Sequence, residues 1–491
     1  METRKRNSMV AVDETALAPC ALRWSSIPIS RVVENHYRLD ASAYDMETMR
    51  ASSAVRNNPY GWVYLWGNDG LVKDAFVGER FKRIYTENRG GIPFYMPSDM
   101  ENVYHRPSKR ISIYTPVDLE YLRVRKNMLL VSVSGTIGKA SLVGKKLDGQ
   151  VFSHDLLRIT FRGEYDLGYT YAFFKTEVGR KLVQSNNYGA VIDHIEPEHL
   201  RGIPIPNAPE EVKMRVHEAV VESYELRDRS NDLIDKAQAM LYGALGLPDE
   251  MSVQPKYYAP DAGVRCFSVR LSQLNNRLDA SYHLPEVNEV LSQISRNAKE
   301  VTTLGDRRVS KAIILPERFK RVYVGKGKGA PFFGGKQILQ LDPSGDKYLS
   351  LASYEQGMRE GLALERNMCL VTRSGTIGKV AMVPTHWAGW IASEHVLRII
   401  PAEASVAGFL YAWVSSPYCY PLIVRNSYGA VVDEIDDAQL AGVAIPLLRD
   451  EAVQQCINDL VLEANALRYQ AYLKEHEAIG RVEELLNKNQ M

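Results

Sequence analysis

Two identical hexapeptides carry side chains that could bind phosphate groups. Ser-Gly-Thr-Ile-Gly-Lys occurs at residues 134–139 and again, unchanged, at 374–379. A loop that combines glycines, hydroxyls and a lysine can bring backbone N–H groups and an ammonium against phosphates. The candidate contacts in the two loops are Ser134, Thr136, Lys139, Ser374, Thr376 and Lys379. A tight hairpin whose glycines only supply positive φ would use the same residues, and the sequence leaves both interpretations open.

A second repeated segment is basic. Glu-Arg-Phe-Lys-Arg occurs at residues 79–83 and at 317–321, and further bases follow each copy. Cations interleaved with an aromatic residue or glycines are typical of contacts with a DNA backbone or groove. The candidate DNA contacts of these segments are Lys82, Arg83, Arg89, Lys320, Arg321, Lys326 and Lys328. A solvated surface strand remains the alternative.

The sequence offers little support for catalysis. There is no Gly-x-x-x-x-Gly-Lys-Ser/Thr loop for a nucleotide. Asn57-Asn-Pro-Tyr60 is similar to the Asn-Pro-Pro-Tyr motif of adenine methyltransferases, but it lacks the second proline and a glycine-rich cofactor loop. His154 and His194 are replaced by glutamates in the repeat. We therefore predict a chain without catalytic residues, bound metal or cofactor.

These motifs belong to a duplication of the whole chain. Arg-Leu-Asp-Ala-Ser returns after 239 residues, the basic segment after 238 and the Ser-Gly-Thr-Ile-Gly-Lys loop after 240. Tyr-Gly-Ala-Val follows at 188–191 and 428–431, which adds Tyr188 and Tyr428 to the candidate DNA contacts. A period of this length is too long for a solenoid or propeller and indicates a duplicated domain. Each copy mixes predicted strands with helices at 169–184 and 409–424, so the predicted fold class is α/β or α+β.

Each copy ends in a long amphipathic helix. Apolar and small residues from Val212 to Ala244 alternate at spacings of four and three, and the pattern recurs from Val453 to Leu485. This 3.5-residue period indicates a helix that packs along another helix. We predict an antiparallel coiled coil with pseudo-twofold symmetry; two independent helices are the alternative. The predicted domains are 1–206, 207–250 (helix), 251–446 and 447–491 (helix).

Composition and charge distribution agree with this layout. The 491 residues carry a net charge of +1, but residues 207–246 and 449–491 each hold eight acids and five bases. The remainder is therefore mildly basic, as expected for DNA-binding domains joined by acidic helices. Five scattered cysteines and the lack of a signal peptide or an 18-residue apolar run predict a cytoplasmic protein that does not span a membrane.

The duplicated motifs and the order domain, helix, domain, helix resemble the specificity subunit of type I restriction–modification systems. The resemblance covers nearly the whole chain. Two features depart from the family pattern. The helix entries read Pro204-Ile-Pro-Asn-Ala-Pro-Glu-Glu211 and Pro446-Leu-Leu-Arg-Asp-Glu451, and Arg-Leu-Asp-Ala-Ser also occurs in specificity parts of related methyltransferase–nuclease systems.

The resemblance implies a function and partners. Each domain would be a target recognition domain that reads one half of a bipartite site in double-stranded DNA. The helices would set the gap and dock two methyltransferase (modification) subunits, with restriction endonuclease–translocase subunits joining the complex. The methyl donor and ATP would belong to those partners. A two-lobed adaptor that binds only protein is the alternative from another class.

Overall fold

In the computed structural model, two lobes of similar architecture pack on a pair of long helices. The structure describes residues 26–34, 37, 39, 44–86, 90–107, 109–185, 194–248, 267–345, 347–355, 358, 361–429 and 432–487. None of the helices in these ranges is both long and apolar enough to cross a membrane. The predicted mixed fold with two long helices is confirmed.

Within its described residues, the first lobe contains three small sheets and four α-helices. A four-stranded antiparallel sheet has the order β2-β8-β5-β6, a second sheet has the order β4-β3-β7, and β1 pairs with β9. The strands are β1 (Trp62–Tyr64), β2 (Val72–Val77), β3 (Ile92–Tyr95), β4 (Lys109–Ile111), β5 (Leu129–Ser132), β6 (Ala140–Leu142), β7 (Val151–Phe152), β8 (Leu156–Phe161) and β9 (Pro204–Pro206). The helices are α1 (Ile29–Glu34), α2 (Met46–Arg56), α3 (Asp166–Lys175) and α4 (Glu177–Ser185).

The second lobe repeats this architecture. Its sheets have the orders β11-β18-β15-β16, β12-β14-β13-β17 and β10-β19. The strands are β10 (Glu300–Thr303), β11 (Ser310–Ile314), β12 (Tyr323–Val324), β13 (Ala330–Phe333), β14 (Tyr348–Leu349), β15 (Cys369–Thr372), β16 (Val380–Met382), β17 (Ile391–Ala392), β18 (Val396–Pro401) and β19 (Ala444–Leu447). Besides the long helices, α5 (Glu210–Leu245) and α10 (Glu451–Asn487), the other helices are α6 (Pro285–Asn297), α7 (Ala404–Val414), α8 (Cys419–Val424) and α9 (Asp437–Ala441).

The helix predicted in each lobe is two helices, and that prediction was wrong in detail. In the first lobe α3 ends at Lys175. The backbone of the next residue, Thr176, is extended, and its Oγ1 accepts a hydrogen bond from the Gly179 N–H. The chain turns so sharply that a Cβ on Gly179 would lie 1.9 Å from the Phe173 carbonyl oxygen. In the second lobe Ser416 similarly accepts from the Cys419 N–H at the start of α8.

The long helices α5 and α10 pack against each other in antiparallel orientation. Ser223 Oγ donates to the Ala471 carbonyl oxygen at 2.7 Å, and Arg468 Nε donates to Ser230 Oγ at 3.1 Å. The seam residues Ser223, Ser230 and Ala471 are buried. Their small side chains allow the two helices to approach this closely. The predicted seam is correct at its centre, but Ala244 at its end is exposed, and Leu241 and Leu245 are buried instead.

Both long helices contribute to the cores of both lobes. The core of the first lobe includes Val216 and Val220 of α5 and Val482 and Leu485 of α10. The core of the second lobe includes the later part of α5 and the earlier part of α10. Each lobe therefore packs on one end of the helix pair.

The lobes also contact each other at the middle of the helix pair. Asn102 of the first lobe and Gln340 of the second, which occupy structurally equivalent positions in the two lobes, form an antiparallel β-bridge. The Val103 N–H donates to the Leu339 carbonyl oxygen at 2.8 Å, and Asn231 of α5 donates to the Val103 carbonyl oxygen. A contact between equivalent residues is expected where a pseudo-twofold axis passes.

Candidate nucleic-acid interface

The two Ser-Gly-Thr-Ile-Gly-Lys segments form hairpin turns between β5 and β6 and between β15 and β16. Gly135 and Gly138 have φ of +74° and +82°, and their equivalents Gly375 and Gly378 have +70° and +82°. Such values are strained for other residues, so the turn requires these glycines. Thr136 and Thr376 are exposed, and their backbone carbonyls accept hydrogen bonds from Ser132 and Thr372. The hairpin interpretation therefore accounts for the glycines.

The lysines of these turns lie towards the helices and the contact between lobes. Lys139 Nζ is 2.5 Å from Glu101 Oε2, and the same carboxylate accepts a hydrogen bond from Gln340 of the second lobe. Lys379 is half-buried in a cavity at the contact between the lobes. Neither lysine lies on an open face of its lobe, so the structure does not place them with the exposed bases described below. Ser134 and Ser374 are partly buried, and Ser374 Oγ lies 2.8 Å from His395 Nδ1.

The two arginines that end the basic segments form equivalent ion pairs. Arg83 Nη2 lies 2.8 Å from Asp155 Oδ2, and Arg321 Nη2 lies 2.9 Å from Glu394 Oε1. The order of the acid and the neighbouring histidine is reversed between the copies, His154-Asp155 against Glu394-His395. Burial lowers the pKa of His154 despite the adjacent Asp155. These acids hold the arginines against their lobes, so the arginines are less available for a ligand.

The lysines of the basic segments are exposed. Lys82 and Lys320 project into solvent, and Lys326 and Lys328 lie in the exposed turn between β12 and β13. Each segment runs along an edge of one sheet of its lobe, β4-β3-β7 in the first lobe and β12-β14-β13-β17 in the second. In the first lobe Tyr85 forms a bridge with Ile111 of β4, and in the second lobe β12 pairs with β14 at the equivalent place. An edge strand with free lysines can lie against a phosphate backbone.

Exposed tyrosine side chains accompany these lysines, and they were not among the predicted contacts. Tyr85 and Tyr323, at equivalent positions, are 44% and 50% exposed. Lys109 Nζ lies 4.4 Å from the centre of the Tyr85 ring. Beyond β4, Tyr114 is 82% exposed. The sequence carried one usable signal for this surface, the tyrosine that follows both copies of the basic segment.

Of the three remaining candidate contacts, the structure describes only Tyr428. Tyr428 is exposed, and its backbone forms a bridge with Glu434 on the far side of a turn at Gly429. A Cβ on Gly429 would lie 2.2 Å from the Val432 carbonyl oxygen, which explains the glycine after the tyrosine. Arg89 and Tyr188 lie outside the described residues.

One buried arginine in each lobe joins the sheets of that lobe and was not identified from the sequence. Arg158 of β8 and the equivalent Arg398 of β18 are fully buried. Arg158 donates to the carbonyl oxygens of Leu156, Leu122, Phe152 and Ser153. Burial lowers the pKa of each arginine to about 10, so both are charged at neutral pH. Their occurrence in apolar strands at a spacing of 240 residues was the available signal.

Solved structures similar to this chain include specificity subunits of type I systems, the family that the motifs resemble. The S subunit of the type I restriction–modification system from M. genitalium is 14% identical; the match covers 88% of this chain and 96% of that one, with a TM-score of 0.34. The HsdS subunit from Thermoanaerobacter tengcongensis is 14% identical over 87% of this chain and 100% of that one, with a TM-score of 0.27.

A third similar chain comes from a structure described as the basis of complex assembly and conformational transition of the type I R-M system. It is 13% identical over 85% of this chain and 98% of that one, with a TM-score of 0.27. No protein-family model and no curated protein matches the chain. Because these identities and TM-scores are low, the function proposed below rests on the residues and geometry of the chain itself.

Proposed function

We propose that this chain is the DNA-recognition subunit of a type I restriction–modification complex, in which each lobe reads one half of a bipartite site. The observation that carries the proposal is the repeated basic edge. Lys82 and Tyr85 in the first lobe and Lys320 and Tyr323 in the second occupy equivalent exposed positions. The antiparallel helix pair relates the two edges by pseudo-twofold symmetry, as two half-sites on one duplex require.

The lobes would read different half-sites. The scaffold residues repeat, whereas residues 96–125 and 340–366 show almost no correspondence between the copies. Parts of both segments adjoin the exposed edges, and Tyr114 lies in the first. Phosphate contacts position a protein on DNA, whereas the residues that differ between lobes supply the base contacts that specify sequence.

The long helices would dock two methyltransferase subunits, with endonuclease–translocase subunits joining through the complex. The chain itself would be non-catalytic. Among the described residues, no group of three or more His, Cys, Asp and Glu side chains is arranged to hold a metal ion. A related methyltransferase–nuclease system is a second assignment, because the Arg-Leu-Asp-Ala-Ser motif also resembles specificity parts of such systems. In the second copy of this motif Arg277 and Asp279 form a bidentate ion pair.

Binding of random duplex DNA to the full chain over a salt series tests the proposal. Phosphate contacts release counterions, so the affinity should fall steeply with salt, with a slope of about −0.9 per contact on a log–log plot. Lys82→Ala with Lys320→Ala should make the slope less steep by about 2. Lys236→Ala, an exposed lysine of α5, is the matched control and should leave the slope unchanged. Affinity without salt dependence, or no DNA binding, would favour the protein-only adaptor.

A further inference from the structure

The two lobes differ in how they neutralise one equivalent pair of arginines at the middle of the long helices. Arg227 of α5 forms a buried ion pair with Glu475 of α10, with 3.0 Å between Nη2 and Oε2. Arg468 of α10 is the repeat equivalent of Arg227. The position that would supply its carboxylate, across the antiparallel pair, is Ile234. Arg468 is therefore 92% buried without an acidic partner among the described residues.

The unpaired guanidinium borders a cavity. Arg468 Nε donates to Ser230, but its Nη2 is buried and has no hydrogen-bond partner in the described part of the chain. A cavity of about 220 Å³ lies beside it, between the two lobes. Arg106 and Lys379 also line this cavity, and none of its described lining residues is an Asp or Glu. Three cations and an unpartnered buried donor indicate a site for an anion.

The equivalent place in the first lobe is filled by the protein. There Lys139 and Lys175 pair with Glu101, and the Tyr171 hydroxyl donates to Glu475. Only about 30 Å³ of space remains. In the second lobe Ser415 replaces Lys175, and Ile234 and Leu339 replace Glu475 and Glu101. One cation and two carboxylates are therefore lost, and the space opens.

Neighbouring carboxylates do not neutralise the cavity. Glu101 is held by Lys139 and Lys175, and Asp235 accepts from the Tyr104 hydroxyl and pairs with Lys146. The guanidinium of Arg106 donates to Gln238 and to the Ser415 carbonyl oxygen, which fixes it at the rim. Hydrogen bonds within the protein thus hold Arg106 at the cationic side of the cavity.

The rest of the wall is apolar. Ile234, Val380, Met382 and Trp387 line it. The volume is below the roughly 300–1,000 Å³ of pockets for drug-sized ligands. We propose that this cavity binds a small organic anion, a carboxylate or phosphate monoester on a compact apolar body, with the anionic group on Arg468 and Lys379. Because both lobes and both long helices line the site, its occupant strengthens the contact between the lobes. This proposal does not depend on DNA recognition.

Phenyl phosphate and benzoate are suitable probes. Calorimetric titration of the full chain should show saturable binding of at least one of them, together with a rise in the melting temperature. Phenol, which lacks the charge, should not bind. Inorganic phosphate should bind more weakly than phenyl phosphate because it leaves the apolar wall uncovered. No saturable binding of either probe, or equal binding of inorganic phosphate, would overturn the proposal.

Two substitutions locate the site. Arg468→Gln should weaken binding about tenfold or more, because it removes charge-assisted hydrogen bonds. Ile234→Glu keeps Arg468 but supplies the carboxylate that the first lobe has, so it should abolish binding. Arg481→Gln, an exposed arginine of the same helix paired with Glu477, should bind as the unchanged chain does. If Arg468→Gln does not fold, Lys379→Gln replaces it, with a severalfold loss expected. Undiminished binding by the folded variants would contradict the assignment.

Discussion

Arg227 and Glu475 form a buried ion pair across the two long helices, with 3.0 Å between Nη2 and Oε2. The Tyr171 hydroxyl of the first lobe also donates to Glu475, and the Arg227 guanidinium lies 4.2 Å from the centre of the Tyr224 ring. The nearby cations lower the pKa of Glu475 despite its burial, so the carboxylate is charged. These contacts therefore join the pair of long helices and the first lobe in a single polar network.

Glu475→Gln should destabilise the chain strongly. The change leaves Arg227 charged and buried without its partner, and breaking a buried pair in this way costs about 3–5 kcal/mol. Chemical denaturation of both proteins measures the difference. Glu477→Gln, on the same helix but in an exposed pair with Arg481, should cost less than about 1 kcal/mol. Equal losses in the two variants would show that burial does not determine the strength of these pairs.

His386 should make the stability depend on pH. Its Nε2 lies 2.8 Å from the Leu341 carbonyl oxygen, its ring stacks on Tyr472 of α10 at 4.0 Å, and burial lowers its pKa to about 4. The unfolded chain binds the proton near pH 6.5 and the folded chain only near pH 4. The contribution of His386 to the free energy of unfolding is therefore complete above pH 6.5 and is lost as the pH falls towards 4.

Between pH 7 and pH 5 the loss from His386 should be about 2 kcal/mol. His105, whose pKa burial also lowers to about 4, adds a loss of the same sign. His386→Phe should keep the stacking and reduce this pH dependence by about half. Denaturation at several pH values measures the slope, and a slope as steep in the variant as in the unchanged chain would exclude His386 as its source.

Arg158→Leu should destabilise the first lobe. The leucine side chain stays buried, but the carbonyl oxygens that accept hydrogen bonds from Arg158 lose their donor. Each unsatisfied group costs about 1–3 kcal/mol. Arg162→Leu is the matched control, because this arginine also donates to carbonyl oxygens but is exposed. Hydrogen exchange should show the loss in the first lobe. A loss spread evenly over both lobes would mean that the two do not unfold separately.

The proposal that the long helices set the gap between the half-sites can be tested by insertions in these helices. Seven residues inserted after Ser230 alone keep the seam in phase but leave α10 unmatched and pull Val103 from Leu339. Seven residues inserted at the middle of both helices also separate Val103 from Leu339, but they keep the two helices matched and lengthen the pair by roughly 10 Å. Under the proposed function, the paired insertion should widen the gap of the methylated motif by at most about 3 base pairs. A paired variant that stays active with an unaltered gap would show that the helices do not set it.

The duplication, the long helices and the strands beside the repeated loops were predictable because each leaves a local or periodic pattern. The pairing of Arg83 with Asp155 and the inward position of Lys139 were not predictable, because they depend on contacts between segments far apart in the sequence. The bridge between Asn102 and Gln340 was missed for the same reason, since those segments differ between the copies. Whether the exposed lysines bind DNA stays a prediction.

The placement of Val482 and Leu485 in the core of the first lobe has a consequence for biosynthesis. Residues 44–206 leave the ribosome long before the end of α10 exists, and until then one wall of their core is open to water. Contacts that span most of the chain are slow to form and leave apolar surface exposed in the meantime. The first lobe should therefore be the last part of the chain to become resistant to protease during synthesis, after the second lobe that follows it in the sequence.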